Sequence, residues 1–115
     1  MDVHYSSNNV LNIKIEQIID DASQDIPIKW LVRFENVYAY RVLDEHGLGE
    51  LWNAAQCAGI KLNTAFRVSH HGWHTESPLS FIFGAYEGVE GSFMLKSDWE
   101  CVEIICAYAP HIEVI

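Results

Sequence analysis

The first clear pattern in the chain is an alternation of apolar and polar positions that predicts a β-strand. Leu11, Ile13 and Ile15 alternate with polar neighbours, which is the period-two pattern of a half-buried strand. A polar run over residues 20–25, closed by Pro27, predicts a loop after this strand. We therefore expect one strand followed by a polar connection in this part of the chain.

Alternation returns over residues 30–43 and leaves two interpretations open. Apolar and aromatic residues share one parity along most of this segment, whereas Arg33 and Arg41 lie on the other. Glu35-Asn36 interrupts the apolar stripe, as a tight turn or a bulge does. A single long, bent strand and a hairpin both fit this pattern.

The next segment, residues 48–58, predicts an amphipathic helix instead of a strand. Its apolar residues recur at intervals of three and four, and Gly59 follows where a glycine commonly ends a helix. A second, shorter helix is expected to start at Ser77-Pro78, because serine is a favoured N-cap and proline fits the first turn. The apolar residues that give the first helix, over residues 48–58, its intervals of three and four are Leu48, Leu51, Trp52 and Ala55.

The remaining segments predict further strands. Residues 61–69 resume the alternation, and residues 92–96 and 99–108 predict a hairpin that turns between them at Ser97-Asp98. Pro110 interrupts the second strand of this hairpin and leaves a short extension after it.

Strands thus dominate the predicted elements. The chain lacks the alternation of strand and helix with glycine-rich turns that builds a parallel nucleotide-binding sheet. We expect an α+β fold, with a curved, mostly antiparallel sheet and one or two helices packed against it. The length of 115 residues predicts a single α+β domain over residues 1–115.

The charge balance narrows the class of partner. Sixteen acidic residues against seven basic ones give a net charge of −9, which argues against binding to nucleic acid. The charge is −4 over residues 1–27, +1 over residues 28–75 and −6 over residues 76–115. This acidity either keeps a small domain in solution or forms a face that docks a basic protein partner.

The character of the first residues and the number of cysteines both point to the cytoplasm. The first ten residues are polar, and no apolar run approaches the roughly 20 residues that cross a bilayer, so we expect a cytoplasmic protein without a membrane partner. Cys57, Cys101 and Cys106 are odd in number and form no CxxC pair. They are expected to be unreactive, buried thiols.

A histidine cluster supplies the most suggestive chemistry. His70, His71 and His74 place three imidazoles within five residues, and these are donors that zinc and similar ions accept. The spacing differs from that of HExxH sites, and Gly72 favours a loop. A metal- or small-ligand-binding module, possibly an enzyme, and a solvated loop both remain open. No nucleophile elbow or phosphate loop is present, so we assign no catalytic residue and expect no cofactor.

Two segments resemble a known group of proteins. Residues 30–45 and the sequence Pro110-His111-Ile112 are similar to blocks in small bacterial domains without an assigned function, some of them immunity-protein-like. The resemblance covers about half the chain and carries no catalytic residue. It implies a non-enzymatic domain that neutralises a toxin by binding it.

Candidate binding residues follow from this interpretation. Asp98, Glu100 and Glu103 are predicted as charge contacts, with Trp73 or Trp99 as an aromatic anchor, because aromatic residues dominate binding hot spots. Tryptophans are also frequent core residues, which is the competing interpretation. A homo-oligomer is a further possibility, in which the strand predicted over residues 99–108 pairs at an open sheet edge.

Overall fold

The computed structural model describes residues 1–21, 24–61, 64–68, 73, 91–97 and 99–115. These residues form two compact units, Met1–Val37 with Tyr108–Ile115, and Tyr38–Ala107. No helix within the described ranges is long and apolar enough to span a membrane. The elements are β1 (Asp2–Ser6), β2 (Val10–Asp21), β3 (Gln24–Phe34), β4 (Val37–Leu43), α1 (Glu45–Ala58), β5 (Ala65–Val68), β6 (Ser92–Lys96), β7 (Cys101–Cys106) and β8 (His111–Val114).

Two four-stranded sheets account for all the described strands. Their strand orders are β1-β2-β3-β8 and β4-β7-β6-β5, and most of the pairings are antiparallel. The expected α+β class with mostly antiparallel pairing is therefore confirmed, with one helix in the described part of the chain. The second helix, expected from Ser77-Pro78, lies outside the described residues.

The first unit is built on the long hairpin of β2 and β3. Leu11 pairs with Phe34 and Ile13 with Val32, and all four side chains are buried. Because opposite residues of an antiparallel pair point to the same face, the alternation seen in the sequence becomes one apolar and one polar sheet face.

The loop expected over residues 20–25 is wrong, because pairing continues through most of that segment. Asp20 pairs with Asp25 and Asp21 with Gln24, so β2 and β3 extend nearly to their connection. Pro27 lies inside β3. The backbone groups of Pro27 point to the same side as those of Lys29, which is the side away from β2. The carbonyl of Lys29, two residues on, accepts a hydrogen bond from Ile115 on that outer side. A proline is tolerated there, because no ladder bond to β2 needs its N–H.

The ambiguous segment over residues 30–43 consists of two successive strands. β3 and β4 lie in different sheets, so the hairpin interpretation is excluded. The break falls at Glu35-Asn36, where Asn36 adopts a φ of 54°. Asparagine is among the few non-glycine residues that enter this left-handed region readily.

In the second unit, α1 packs on one face of the sheet β4-β7-β6-β5. Leu48 is buried against Met94 and Cys101, and partly buried apolar residues of the helix and sheet surround them. The helix begins at Glu45, earlier than the expected residue 48, and the amide of Leu48 donates to the carbonyl of Asp44. The partly buried residues that pack around Leu48, Met94 and Cys101 are Leu43, Leu51, Phe66 and Val68.

The hairpin expected near the end of the chain is confirmed as β6 and β7, in which Lys96 pairs with Cys101. β7 lies between β4 and β6, and all six of its residues are buried. The expectation that this strand offers an open edge for oligomerisation is therefore wrong, since both its edges already carry neighbours.

The helix end confirms the expected glycine cap. Gly59 has a φ of 70°, its amide donates to the carbonyl of Gln56, and the amide of Ile60 donates to the carbonyl of Ala55. These two bonds form a Schellman motif, which satisfies carbonyl groups that the helix leaves open.

Two glycine substitutions test this assignment in opposite directions. Gly59→Ala is expected to lower the free energy of unfolding by about 1 kcal/mol, because an L-residue is strained in the left-handed region. Gly49→Ala, inside α1 with no atom within 4 Å of the added methyl group, is expected to raise it by about 0.5 kcal/mol. Urea unfolding of both variants measures this, and changes of the same sign contradict the cap.

Candidate functional site

The residues predicted from the sequence fall into different environments. Asp98 and the histidines His70, His71 and His74 lie outside the described residues. Trp99 is 73% exposed, and this is the largest exposed fraction among the large apolar side chains of the described residues.

The turn between β6 and β7 holds Trp99 outward. The amide of Ser97 donates to the carbonyl of Glu100 over 2.9 Å. The Ser97 Oγ lies 3.3 Å from the amide nitrogen of Trp99 and 3.2 Å from that of Glu100, and it accepts from both. The serine side chain thus fixes the backbone on which Trp99 stands, and Glu100 beside it is half-buried.

Glu103 is fully buried, although it was predicted as a charge contact. Arg41 donates to its Oε1 through Nε at 2.8 Å and through Nη2 at 2.7 Å. Ser92 Oγ donates to Oε2 at 2.6 Å. Both carboxylate oxygens are therefore engaged inside the protein, and this charge does not face solvent.

Strand pairing explains why these three side chains meet. Glu103 of β7 pairs with Met94 of β6, so Ser92 lies diagonally across on the same sheet face. Arg41 belongs to β4, which is the neighbour of β7 on its other side. Three adjacent strands thus each contribute one polar group to a single buried cluster.

Trp73, the other predicted anchor, is also buried. The guanidinium carbon of Arg41 lies 4.3 Å from the centre of a Trp73 ring, within the range of a cation–π contact. Trp73 also packs in a cluster with Ile105, together with Tyr38 and Ala39 of β4. Its position makes it a cover for the arginine rather than an exposed contact.

Arg41 and Ser92 were not predicted from the sequence as site residues. The available signal was Glu103 itself, since a lone carboxylate among the apolar residues of β7 requires a partner. Arg41 also interrupts an apolar strand, but nothing in the sequence indicates that these two residues meet across 62 positions.

Cys101 lies on the same strand, two residues before Glu103. Burial raises the pKa of its thiol, the Glu103 carboxylate raises the pKa further, and the Arg41 charge opposes both effects. The neutral thiol is therefore favoured, and a neutral thiol is a poor nucleophile and metal ligand. Cys106 is also buried, whereas Cys57 on α1 is exposed, contrary to the expectation that all three thiols are buried.

The polar groups of the buried cluster are already bound to one another. Its carboxylate accepts from an arginine and a serine, and its arginine is further covered by an indole. Within the described part of the chain, no group of three or more His, Cys, Asp or Glu side chains is arranged to hold a metal ion. The arrangement stabilises the sheet and leaves the exposed turn as the candidate binding feature.

Comparison with known proteins adds no further constraint on function. The chain matches no protein-family model, no curated protein and no solved structure. The similarity of residues 30–45 to immunity-protein-like bacterial domains stays a prediction.

The buried pair makes a prediction about stability. Arg41→Ala is expected to cost about 3 kcal/mol, because it leaves a fully buried carboxylate without its cation. Glu103→Gln keeps the size of the side chain and is expected to cost about 1.5 kcal/mol. The control Arg67→Ala removes an exposed arginine 5.0 Å from the Phe93 ring and should cost about 0.5 kcal/mol. Equal losses for Arg41→Ala and Arg67→Ala in urea unfolding contradict this account.

Thiol reactivity tests the environment of Cys101. Ellman's reagent at pH 8 should modify one thiol rapidly in the native protein, because Cys57 is exposed while the other two are buried. The raised pKa of Cys101 further lowers its thiolate fraction at that pH. All three thiols should react in denaturant. A rapid phase that persists after Cys57→Ser contradicts the assignment.

Proposed function

We propose that this chain is a non-enzymatic, acidic protein-binding domain of the cytoplasm that docks a basic protein through the turn between β6 and β7. The observation that carries this proposal is the 73% exposure of Trp99 on a turn that side-chain hydrogen bonds hold in place. We further propose the immunity type of function, the neutralisation of a toxin, because of the resemblance over residues 30–45.

An exposed tryptophan on a fixed turn is well suited to anchor a partner. Its indole buries a large apolar area on contact, and aromatic anchors of this kind carry much of the binding energy in protein interfaces. Ser97 Oγ accepts from the amides of Trp99 and Glu100, so the backbone of these two residues needs little further ordering when a partner binds.

The charge distribution favours a basic partner. Met1–Val37 with Tyr108–Ile115 contain seven acidic and three basic residues, and Tyr38–Ala107 contain nine and four. Neither unit therefore has an excess of basic residues. In the sequence Asp98 and Glu100 flank Trp99, so the proposed anchor lies in an acidic stretch of the chain. An acidic surface accelerates association with a positively charged protein and favours it over acidic competitors.

The buried chemistry supports binding rather than catalysis. The Glu103 carboxylate forms an ion pair with Arg41, and the pKa of the Cys101 thiol is raised. Neither group is therefore an activated nucleophile. Zinc or small-ligand binding at His70, His71 and His74 is the competing proposal, motivated by three imidazoles within five residues.

The test is co-expression with the product of an adjacent toxin-like gene, read by rescue of host growth and by the affinity of the purified pair. Trp99→Ala is expected to weaken binding about 30-fold, as loss of a hot-spot residue does. Glu100→Gln should slow association, and added salt should slow it for the unmodified chain as well.

Matched controls lie in the same unit, on β4 and α1. Tyr40→Ala and Glu50→Gln remove an exposed aromatic ring and an exposed carboxylate outside the turn, and both should leave affinity unchanged within about twofold. Binding that survives Trp99→Ala, or that is insensitive to salt, contradicts the proposed surface. Stoichiometric zinc in purified, tag-free protein, lost in His71→Ala, would favour the histidine site instead.

A further inference from the structure

β8 forms one edge of the sheet β1-β2-β3-β8, and no described strand lies on its outer side. Ile112 and Val114 on this strand are 52% and 61% exposed. They pair with Val32 and Trp30 of β3, so they extend the apolar face of that sheet to its edge. An exposed apolar edge strand is a template for pairing with another strand.

The hydrogen-bond pattern shows which backbone groups face the open edge. The amide of Ile115 donates to the carbonyl of Lys29 in β3 over 2.9 Å. In an antiparallel ladder the residues that exchange bonds alternate, so Glu113 and His111 also direct their backbone groups to β3. The N–H and C=O groups of Ile112 and Val114 therefore point outward.

We propose that β8 pairs antiparallel with β8 of a second copy of this chain, about a two-fold axis that places Ile112 opposite its own counterpart. The two Ile112 residues then exchange a pair of N–H···O=C bonds. The amide of each Val114 donates to the carbonyl of Pro110 in the other copy. Pro110 has no N–H, so this end of the ladder leaves no donor without an acceptor.

The order of side chains along β8 makes the strand complementary to a second copy of itself in this register. His111 and Glu113 are exposed and lie 3.8 Å apart at their nearest atoms in the same strand. With Ile112 at the axis, His111 of each copy lies opposite Glu113 of the other, and the pair occurs twice. An imidazole has an N–H that can donate to a carboxylate in either protonation state. Two registers lie two residues away. One places Glu113 opposite Glu113, and like charges directly opposite are destabilising. The other places Ile112 opposite Pro110, which has no N–H to return a ladder bond.

The pairing joins the two four-stranded sheets, edge to edge, into one sheet of eight strands. Their apolar faces then form one continuous face. Because only a short strand contributes from each copy, the contact is small and belongs with weak, transient interfaces. This interface uses neither Trp99 nor the turn that carries it, so the proposed partner binding and the self-association fail or succeed independently.

The first experiment measures self-association by sedimentation velocity up to about 1 mM protein, the range of weak complexes. His111→Glu and Glu113→Lys are each expected to weaken it about tenfold. The first variant places carboxylates opposite each other at two positions, and the second removes both carboxylates that accept from His111. An equimolar mixture of the two variants should regain the association of the unmodified chain. In the mixed pair the introduced carboxylate faces the introduced ammonium at one position, and His111 faces Glu113 at the other.

A cross-link tests the register. In a Cys57→Ser background, Ile112→Cys should form an intermolecular disulfide under mild oxidation, because the two cysteines face each other across the axis. The control Val114→Cys should not, because its opposite residue is Pro110. A monomer at every concentration, charge variants that associate as the unmodified chain does, or equal cross-linking of both cysteine variants overturns the proposal.

Discussion

The buried ion pair between Arg41 and Glu103 is the constraint on which the second unit depends. A carboxylate in the middle of a fully buried strand costs several kcal/mol unless a cation and hydrogen bonds replace water. Arg41 and Ser92 supply these from the strands on either side of β7. The requirement therefore fixes β7 between β4 and β6, and Trp73 completes it by covering the guanidinium.

Satisfying that charge also limits what the interior can do. The carboxylate is occupied at both oxygens, and its field together with burial keeps the Cys101 thiol protonated. The carboxylate of Glu103 and the guanidinium of Arg41 thus stabilise the described core by binding each other. At the surface, Ser97 accepts from the amides of Trp99 and Glu100 in the turn that exposes Trp99.

Local sequence patterns predicted the elements better than the contacts between them. The alternation at Leu11, Ile13 and Ile15 and the glycine cap at Gly59 were sufficient because period and cap chemistry are local properties. Residues 20–25 looked like a loop because acidic and polar residues favour turns, yet pairing across the hairpin extended both strands through most of them. Glu103 was predicted at the surface because its burial depends on Arg41, which no local pattern connects to it.

The net negative charge of the chain is compatible with self-association. Salt screens the long-range repulsion between two copies, so the charges close to the interface determine whether they associate. Two copies at −9 each repel at long range, but at physiological ionic strength that repulsion fades beyond about 8 Å. Around β8 the nearby charges are mixed, since Arg33, which pairs with His111, lies 3.2 Å from Glu35 and accompanies Glu113 of β8. The unit that contains β8 has seven acidic residues, and five of them lie in β1, β2 or the first residues of β3, namely Asp2, Glu16, Asp20, Asp21 and Asp25. The edge of β8 is thus a place where an otherwise self-repelling protein can bring two copies together without opposing like charges.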